Sequence, residues 1–272
     1  MTIKILFLFF TTCMKIFSLI PKKKKYTLVI SWWGTRGFYA LGILKWLEEL
    51  GYKEKIDAIY GVSAWAIVGS YWSAGYSAQE IFDMFFSASP FGIMSINILS
   101  KESLLKTNYF EKKFIQDLPK KITDLKIKTY IWTTDIKTWT FLLFDQWDLT
   151  PILLGSMSIP GIFPIITYKN HILMDGGATN NFPVDIAKNK YPNNDIIGIA
   201  LNKFQENQKI KTIFDSLSVS IEILLRHHTV ENMSVVKHLF YKVLPLKVLD
   251  VSRKNMKTAY LEGYRDCLKH FK

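Results

Sequence analysis

Ile59-Tyr60-Gly61-Val62-Ser63-Ala64-Trp65-Ala66-Ile67-Val68-Gly69 is the stretch whose reading decides the rest of the chain. Residues 56–60 are a short apolar run of the kind that makes a buried strand. Gly61 interrupts it, and from Ala64 the chain is apolar on almost every face, as in a buried helix. A serine on such a strand-to-helix turn is expected to project its hydroxyl at the carboxyl edge of a sheet, under the positive end of the helix. The letters are those of a Gly-x-Ser-x-Gly turn, except that Trp65 stands at the second glycine.

Strands and helices alternate outward from this turn. Residues 26–31 are a β-branched apolar run, read as a central parallel strand, and they end at Trp32-Trp33-Gly34-Thr35-Arg36-Gly37. Residues 38–50 carry apolar side chains at helical spacing and are closed by Gly51. Gly75 ends the helix that follows Ser63, and Ser77 caps another that runs to about residue 86. Residues 104–118 read as helix, 126–134 as a strand ending at Asp135, 139–144 as its hairpin partner, and 150–157 as helix. A short strand at 172–174 leads into Asp175-Gly176-Gly177, Pro183 opens a helix to residue 189, and 195–200 is another buried strand. From residue 212 the chain is basic and mainly helical, with one extended piece near 246–249. This alternation implies a mostly parallel sheet covered on both faces.

The 272 residues are 49% apolar, which suits a well-packed globular chain. The net charge of +12 admits nucleic acid, an anionic membrane surface or simple solubility. Zinc-finger spacing, aromatic RNA-binding signatures and a basic recognition helix are all missing from the sequence, so nucleic acid is not an expected partner. Cys13 and Cys267 lie in peripheral segments and suggest no disulfide framework. A reducing, cytoplasmic setting is expected, with peripheral membrane attachment and export left open. The apolar piece 5–14 is too short to span a bilayer and lacks a small-residue cleavage site, so the first 25 residues read as an interfacial anchor, as an export signal or, with translation starting at Met14, as a short lysine-rich lead into the first strand. Residues 26–200 are expected to form the main domain, with 201–272 packed on it.

Three glycine-bearing turns, at 32–37, 61–65 and 175–177, each follow a strand. In open α/β sheets such turns converge on one crevice at the carboxyl ends of the strands. The first is rich in backbone donors, the second offers a nucleophile and the third a carboxylate, which together meet the needs of acyl transfer. A Ser63–Asp175–His227 or Ser63–Asp175–His228 triad has the right chain order. Against it, the serine follows only the second strand and a glycine-type turn already precedes it on the first. All five histidines, His171, His227, His228, His238 and His270, sit without motif context. The absence of metal-ligand spacing in the sequence leads to no expected metal or cofactor.

The order of strand, glycine-rich turn with Arg36, helix, strand, Ser63 turn, helix and Asp175-Gly176-Gly177 resembles the patatin-like phospholipases. Asp135-Ile136-Lys137-Thr138, the run from Ser156 through Ile159-Pro160-Gly161 to Pro164, and the run from Asp175 to Asn180-Asn181-Phe182-Pro183 match as well. The resemblance implies a three-layer α/β/α fold with a mostly parallel central sheet and a Ser–Asp dyad. Ser63 would attack an ester carbonyl of a phospholipid or other lipid while Asp175 accepts its proton. Amides around Trp33, Gly34 and Thr35, in the turn from Trp32 to Gly37, would hold the oxyanion, and Arg36 would steady that turn or meet a lipid phosphate. Gly61, Val62, Ala64 and Trp65, with Gly176 and Gly177, shape the other two turns. Residues 87–100 and 159–166 are expected to line an acyl-chain pocket, to form a lid or to join the core.

The chain departs from the pattern at Trp32, Trp33 and Trp65, where glycine is expected for positive φ or close backbone approach. Trp139 and Trp147 also fall in turns that ask for glycine, and Trp132 falls in a strand where a small residue would fit. Two readings stay open at this stage. With tryptophan as written, the oxyanion turn is blocked and the protein is an inactive lipid- or protein-binding relative; with glycine at these positions, the catalytic turns are intact.

Overall fold

The computed structural model describes residues 24–31, 37–88, 103–201, 232–241 and 252–270, with scattered positions between 210 and 223. Its strands are β1 (Tyr26–Ser31), β2 (Ile56–Gly61), β3 (Lys128–Asp135), β4 (Thr140–Phe144), β5 (Ile166–Tyr168), β6 (His171–Asp175), β7 (Asp195–Ala200) and β8 (His238–Tyr241). Its α-helices are α1 (Gly37–Glu49), α2 (Ala64–Ala74), α3 (Ala78–Ser87), α4 (Asn108–Asp117), α5 (Leu149–Met157), α6 (Val184–Lys190) and α7 (Arg253–His270). The sheet runs β5-β6-β3-β2-β1-β7-β8, with β4 paired separately to β3. Strands β3, β2, β1, β7 and β8 are parallel neighbours, whereas β4, β5 and β6 are antiparallel.

Two apolar layers flank this sheet, because alternate residues of each central strand face opposite ways. Leu28, Ile30, Ile59, Ile131 and Ile197 pack on one face with α1, α2, α3, α4, α5 and α7. Val29, Ala58, Tyr60, Tyr130 and Ile196 pack on the other with Val184 and Ala187 of α6. The architecture is the expected α/β/α sandwich with a mostly parallel sheet. β1 is buried at all six positions, as a strand covered on both faces must be.

Local chemistry sets the helix ends that frame the Ser63 turn. Gly75 ends α2 at φ 117. Ser77 and Glu80 form a capping box at the start of α3. Glu48, near the end of α1, accepts from the indole Nε1 of Trp72 and, at 3.1 Å, from the Ala78 amide, so one carboxylate joins α1, α2 and α3. Helices α1 and α7 touch backbone to backbone at Gly42 and Gly263, where a Cβ on either would overlap a carbonyl of the other helix. Beside that contact the Tyr39 hydroxyl donates to Asp266 at 2.8 Å.

Some elements differ from expectation. The helix read over 104–118 begins only at Asn108, because the amides of Leu104 and Leu105 donate instead to Gly161 O and Ile162 O at 3.0 and 2.8 Å. β5 and β8 were not anticipated, and β6 is longer than the strand read from sequence. The expected N-terminal segment up to residue 23, the extended piece at 246–249 and most of the loop at 87–100 lie outside the described residues.

Candidate functional site

Sheet register explains how residues 112 positions apart come together. At Ile131, β3 pairs with Gly61 of β2 and with Phe144 of β4, so those two strands hold opposite edges of β3. At Thr133–Asp135, β3 pairs with β4 and with β6, so β6 takes the edge that β2 has vacated. β6 runs antiparallel to β3 and therefore meets the carboxyl end of β2 head-on. Its last residue, Asp175, pairs with Thr133, two positions past the partner of Gly61.

Ser63 is the N-cap of α2, with φ 56 and ψ −133. A positive φ of this kind in a residue with a Cβ costs roughly 1–3 kcal/mol and persists only where the surroundings enforce it. Here they do. The Ser63 amide donates to Ser156 Oγ at 3.0 Å, and that hydroxyl donates in turn to Trp132 O at 2.7 Å. Ser156 is fully buried on α5, so one side chain ties the turn to β3 from below. Gly61 makes the tight exit from β2: a Cβ there would lie 2.7 Å from Trp65 O and 2.9 Å from Ala66 N, both backbone atoms of α2.

Replacing Ser156 with alanine is expected to leave the buried Ser63 N–H and Trp132 O without this partner and to lower stability by about 1–3 kcal/mol, read from urea denaturation. The same change should loosen the serine turn while leaving the backbone of β3 and β6 in place.

Asp175 is buried, and its own amide donates to Ser158 O at 2.9 Å. Its Oδ1 accepts from the Gly177 amide at 2.8 Å, while among the described residues Oδ2 has no hydrogen-bond partner. Burial pushes the carboxyl up to about 6, opposed by the Ser63 hydroxyl and the Gly177 N–H. The Ser63 side chain thus lies close enough to bear on the carboxylate's ionisation without a formed hydrogen bond to it. A buried carboxyl with one open oxygen, beside a serine hydroxyl at a helix N-terminus, can take up a proton from that hydroxyl near neutral pH.

A family-wide sequence profile described as patatin-like phospholipase matches residues 34–188, more than half of the chain. The chain belongs to the patatin-like phospholipase family. It is 32% identical over 222 residues to "Probable lipid hydrolase 463L" of Invertebrate iridescent virus 6, covering 67% of this chain and 72% of that protein. It is 26% identical over 258 residues to "Patatin-like phospholipase domain-containing protein 6" of Mus musculus, where the match takes in 89% of this chain but spans only 19% of the longer mouse protein. Among solved structures, VipD from Legionella pneumophila shares the fold at a TM-score of 0.56 and 12% identity, over 92% of this chain and 66% of that one.

The remaining residues singled out in this patatin-like chain fall in several places. Gly176 and Gly177 form a 3-10 turn directly after Asp175. Val62 is buried, and its carbonyl accepts from the Trp65 amide at 2.9 Å. Ala64 opens α2 and Gly37 opens α1, whereas Trp32, Trp33, Gly34, Thr35 and Arg36 lie outside the described residues, as do His227 and His228. Trp65 is fully buried, and a Cβ on Gly37 would sit 3.7 Å from its ring, so the indole lies against the first residue of α1. Trp132 corrects the expectation of a small residue: its indole donates to Asn180 O at 2.7 Å and packs over Gly176, which has no room for a Cβ.

His171 belongs to a different partnership. Its Nδ1 lies 2.8 Å from Asp135 Oδ2, and Asp135 also accepts from the amides of Lys137 and Ile172 at 3.0 and 3.2 Å. Burial alone would raise the Asp135 carboxyl, but these donors together hold it below the ordinary carboxylate range. The pair pins the β3–β4 turn to the start of β6. Of the segment expected at an acyl pocket, Ile159, Ile162 and Phe163 are buried in the core, with Phe163 edge-on to Phe110 of α4. Sequence reasoning did not single out Ser156, although it stands in the quoted run from Ser156 to Pro164. Among the described residues no group of three or more His, Cys, Asp or Glu side chains is placed to hold a metal ion.

Proposed function

We propose that this patatin-like chain is a serine acyl hydrolase that cleaves an acyl ester of a phospholipid or other lipid, with Ser63 as nucleophile and Asp175 as its base. The observation that carries this reading is the open, buried Oδ2 of Asp175 beside a serine held at positive φ on a strand-to-helix turn. Ser63 Oγ bonds to the ester carbonyl carbon as its proton passes to Asp175. The tetrahedral oxyanion collapses with loss of the alcohol, which takes the proton back from Asp175. Water, deprotonated by the same carboxylate, then adds to the acyl-serine carbonyl, and the second tetrahedral stage expels Ser63 Oγ, which recovers the proton from Asp175 as the fatty acid is freed. Amides of residues 33–35 and the positive end of α2 supply the charge that stabilises both tetrahedral stages.

The family supports a lipid as substrate, and the +12 charge favours an anionic lipid surface. Among the described residues no helix is long and apolar enough to cross a membrane.

A fluorophosphonate probe tests the nucleophile directly. The expected result is one covalent adduct, located by peptide mass mapping on Ser63 and lost in Ser63→Ala. An adduct on another residue would overturn the assignment.

The buried indole of Trp65 against Gly37 favours a second reading, in which the indole crowds the start of α1 and the fold binds lipid or protein without cleaving an ester. That reading requires no probe adduct and no ester hydrolysis, with vesicle binding where the ligand is lipid.

A further inference from the structure

Among the described residues four that are not glycine adopt positive φ: Ser63, Trp139, Trp147 and Lys169. Ser63 does so in the turn it forms, and Lys169 in the two-residue link between β5 and β6. The other two are both tryptophan, a residue with only eight places in the chain. Trp139 has φ 59 at the end of the β3–β4 turn, where its amide donates to Asp135 O at 2.8 Å. It is 85% exposed, so packing does not ask for its indole. Trp147, between β4 and α5, has φ 87; Phe144, Tyr168 and Lys169 surround its ring, but the backbone angle remains one that bulky side chains rarely adopt. Glycine takes such angles without a steric cost.

Trp65 adds an independent sign. Its indole N–H is buried with no hydrogen-bond partner among the described residues, although a buried tryptophan ordinarily finds one. Trp72 and Trp132, by contrast, donate to Glu48 and to Asn180 O. Composition points the same way: the chain has 14 glycines in 272 residues, below the usage of roughly 7% typical of globular proteins. Tryptophan has a single standard codon, UGG. UGA differs from it in the third base and from the glycine codon GGA in the first.

We propose that positions 65, 139 and 147 carry glycine in the protein its own cell makes, a UGA codon there being read as glycine. The inference rests on backbone angles at two turns and one orphaned donor, so it stands or falls separately from the hydrolase proposal. Glycine at 65 would remove the indole from beside Gly37, the first residue of α1.

The gene and the native protein decide it. UGA at codons 65, 139 and 147, with peptides from the native protein carrying the glycine mass at each, is the expected result. UGG at any of the three, or a peptide of tryptophan mass, overturns it. A recombinant chain carrying Trp139→Gly and Trp147→Gly, the two positions of positive φ, is expected to melt at a higher temperature than the chain as written, and an equal or lower Tm counts against the proposal.

Discussion

Ser63→Ala is expected to lower kcat for ester hydrolysis by at least about a thousandfold, since removing a nucleophile leaves only binding and oxyanion stabilisation. Stability should change little, within about 1 kcal/mol. Alanine meets the same strain at φ 56, and the amide still reaches Ser156 Oγ. KM should stay near its original value, because the hydroxyl contributes to bond making rather than to holding the acyl chain. Steady-state rates on short-chain esters and on phospholipid vesicles, beside a thermal melt, read all three quantities. Activity retained within a factor of ten would remove Ser63 from the chemistry.

Much of this arrangement was legible in the sequence because it is written in local signals. β1 could be read to its ends since all six residues lie between two apolar layers, and Gly75 and the Ser77–Glu80 box mark helix ends by their own chemistry. Ser63 and Asp175 stood out because each follows a strand at a glycine-bearing turn. What escaped the reading depends on contacts between distant positions. Ser156 gives no local hint that its hydroxyl will meet an amide 93 residues away. Trp132 stands where local pattern asks for a small residue, because its indole donates to Asn180 O, 48 residues on. β5 is only three residues, an exposed threonine between two half-buried neighbours, and it exists because β6 offers it an edge. Leu104 and Leu105 continue a helical spacing, yet their amides are engaged by the chain at 161–162.

Asp175→Asn is expected to abolish hydrolysis and to stabilise the fold at neutral pH. Burial raises this carboxyl from 3.8 to about 6, so the folded state holds its proton more tightly than the unfolded chain does. Below about pH 4 both states are protonated and the residue adds no penalty. As pH rises from 4 to 6 the unfolded chain ionises first, and above 6 the buried charge costs roughly 3 kcal/mol. Asparagine removes that charge and keeps an oxygen for the Gly177 N–H, but places an amide NH₂ where Oδ2 has no partner among the described residues. The unmet donor returns about 1–2 kcal/mol of the gain. The variant should therefore be about 1–2 kcal/mol more stable than the parent at pH 7.5, with the difference vanishing or reversing by pH 4 in urea titrations. Over the same range kcat/KM of the parent should climb about tenfold per pH unit below 6 and level off above it, as the carboxylate that accepts the Ser63 proton forms. A stability gap that stays constant from pH 7.5 to 4 would show that Asp175 is not the group whose ionisation the fold resists, and the proposed base would have to be sought elsewhere.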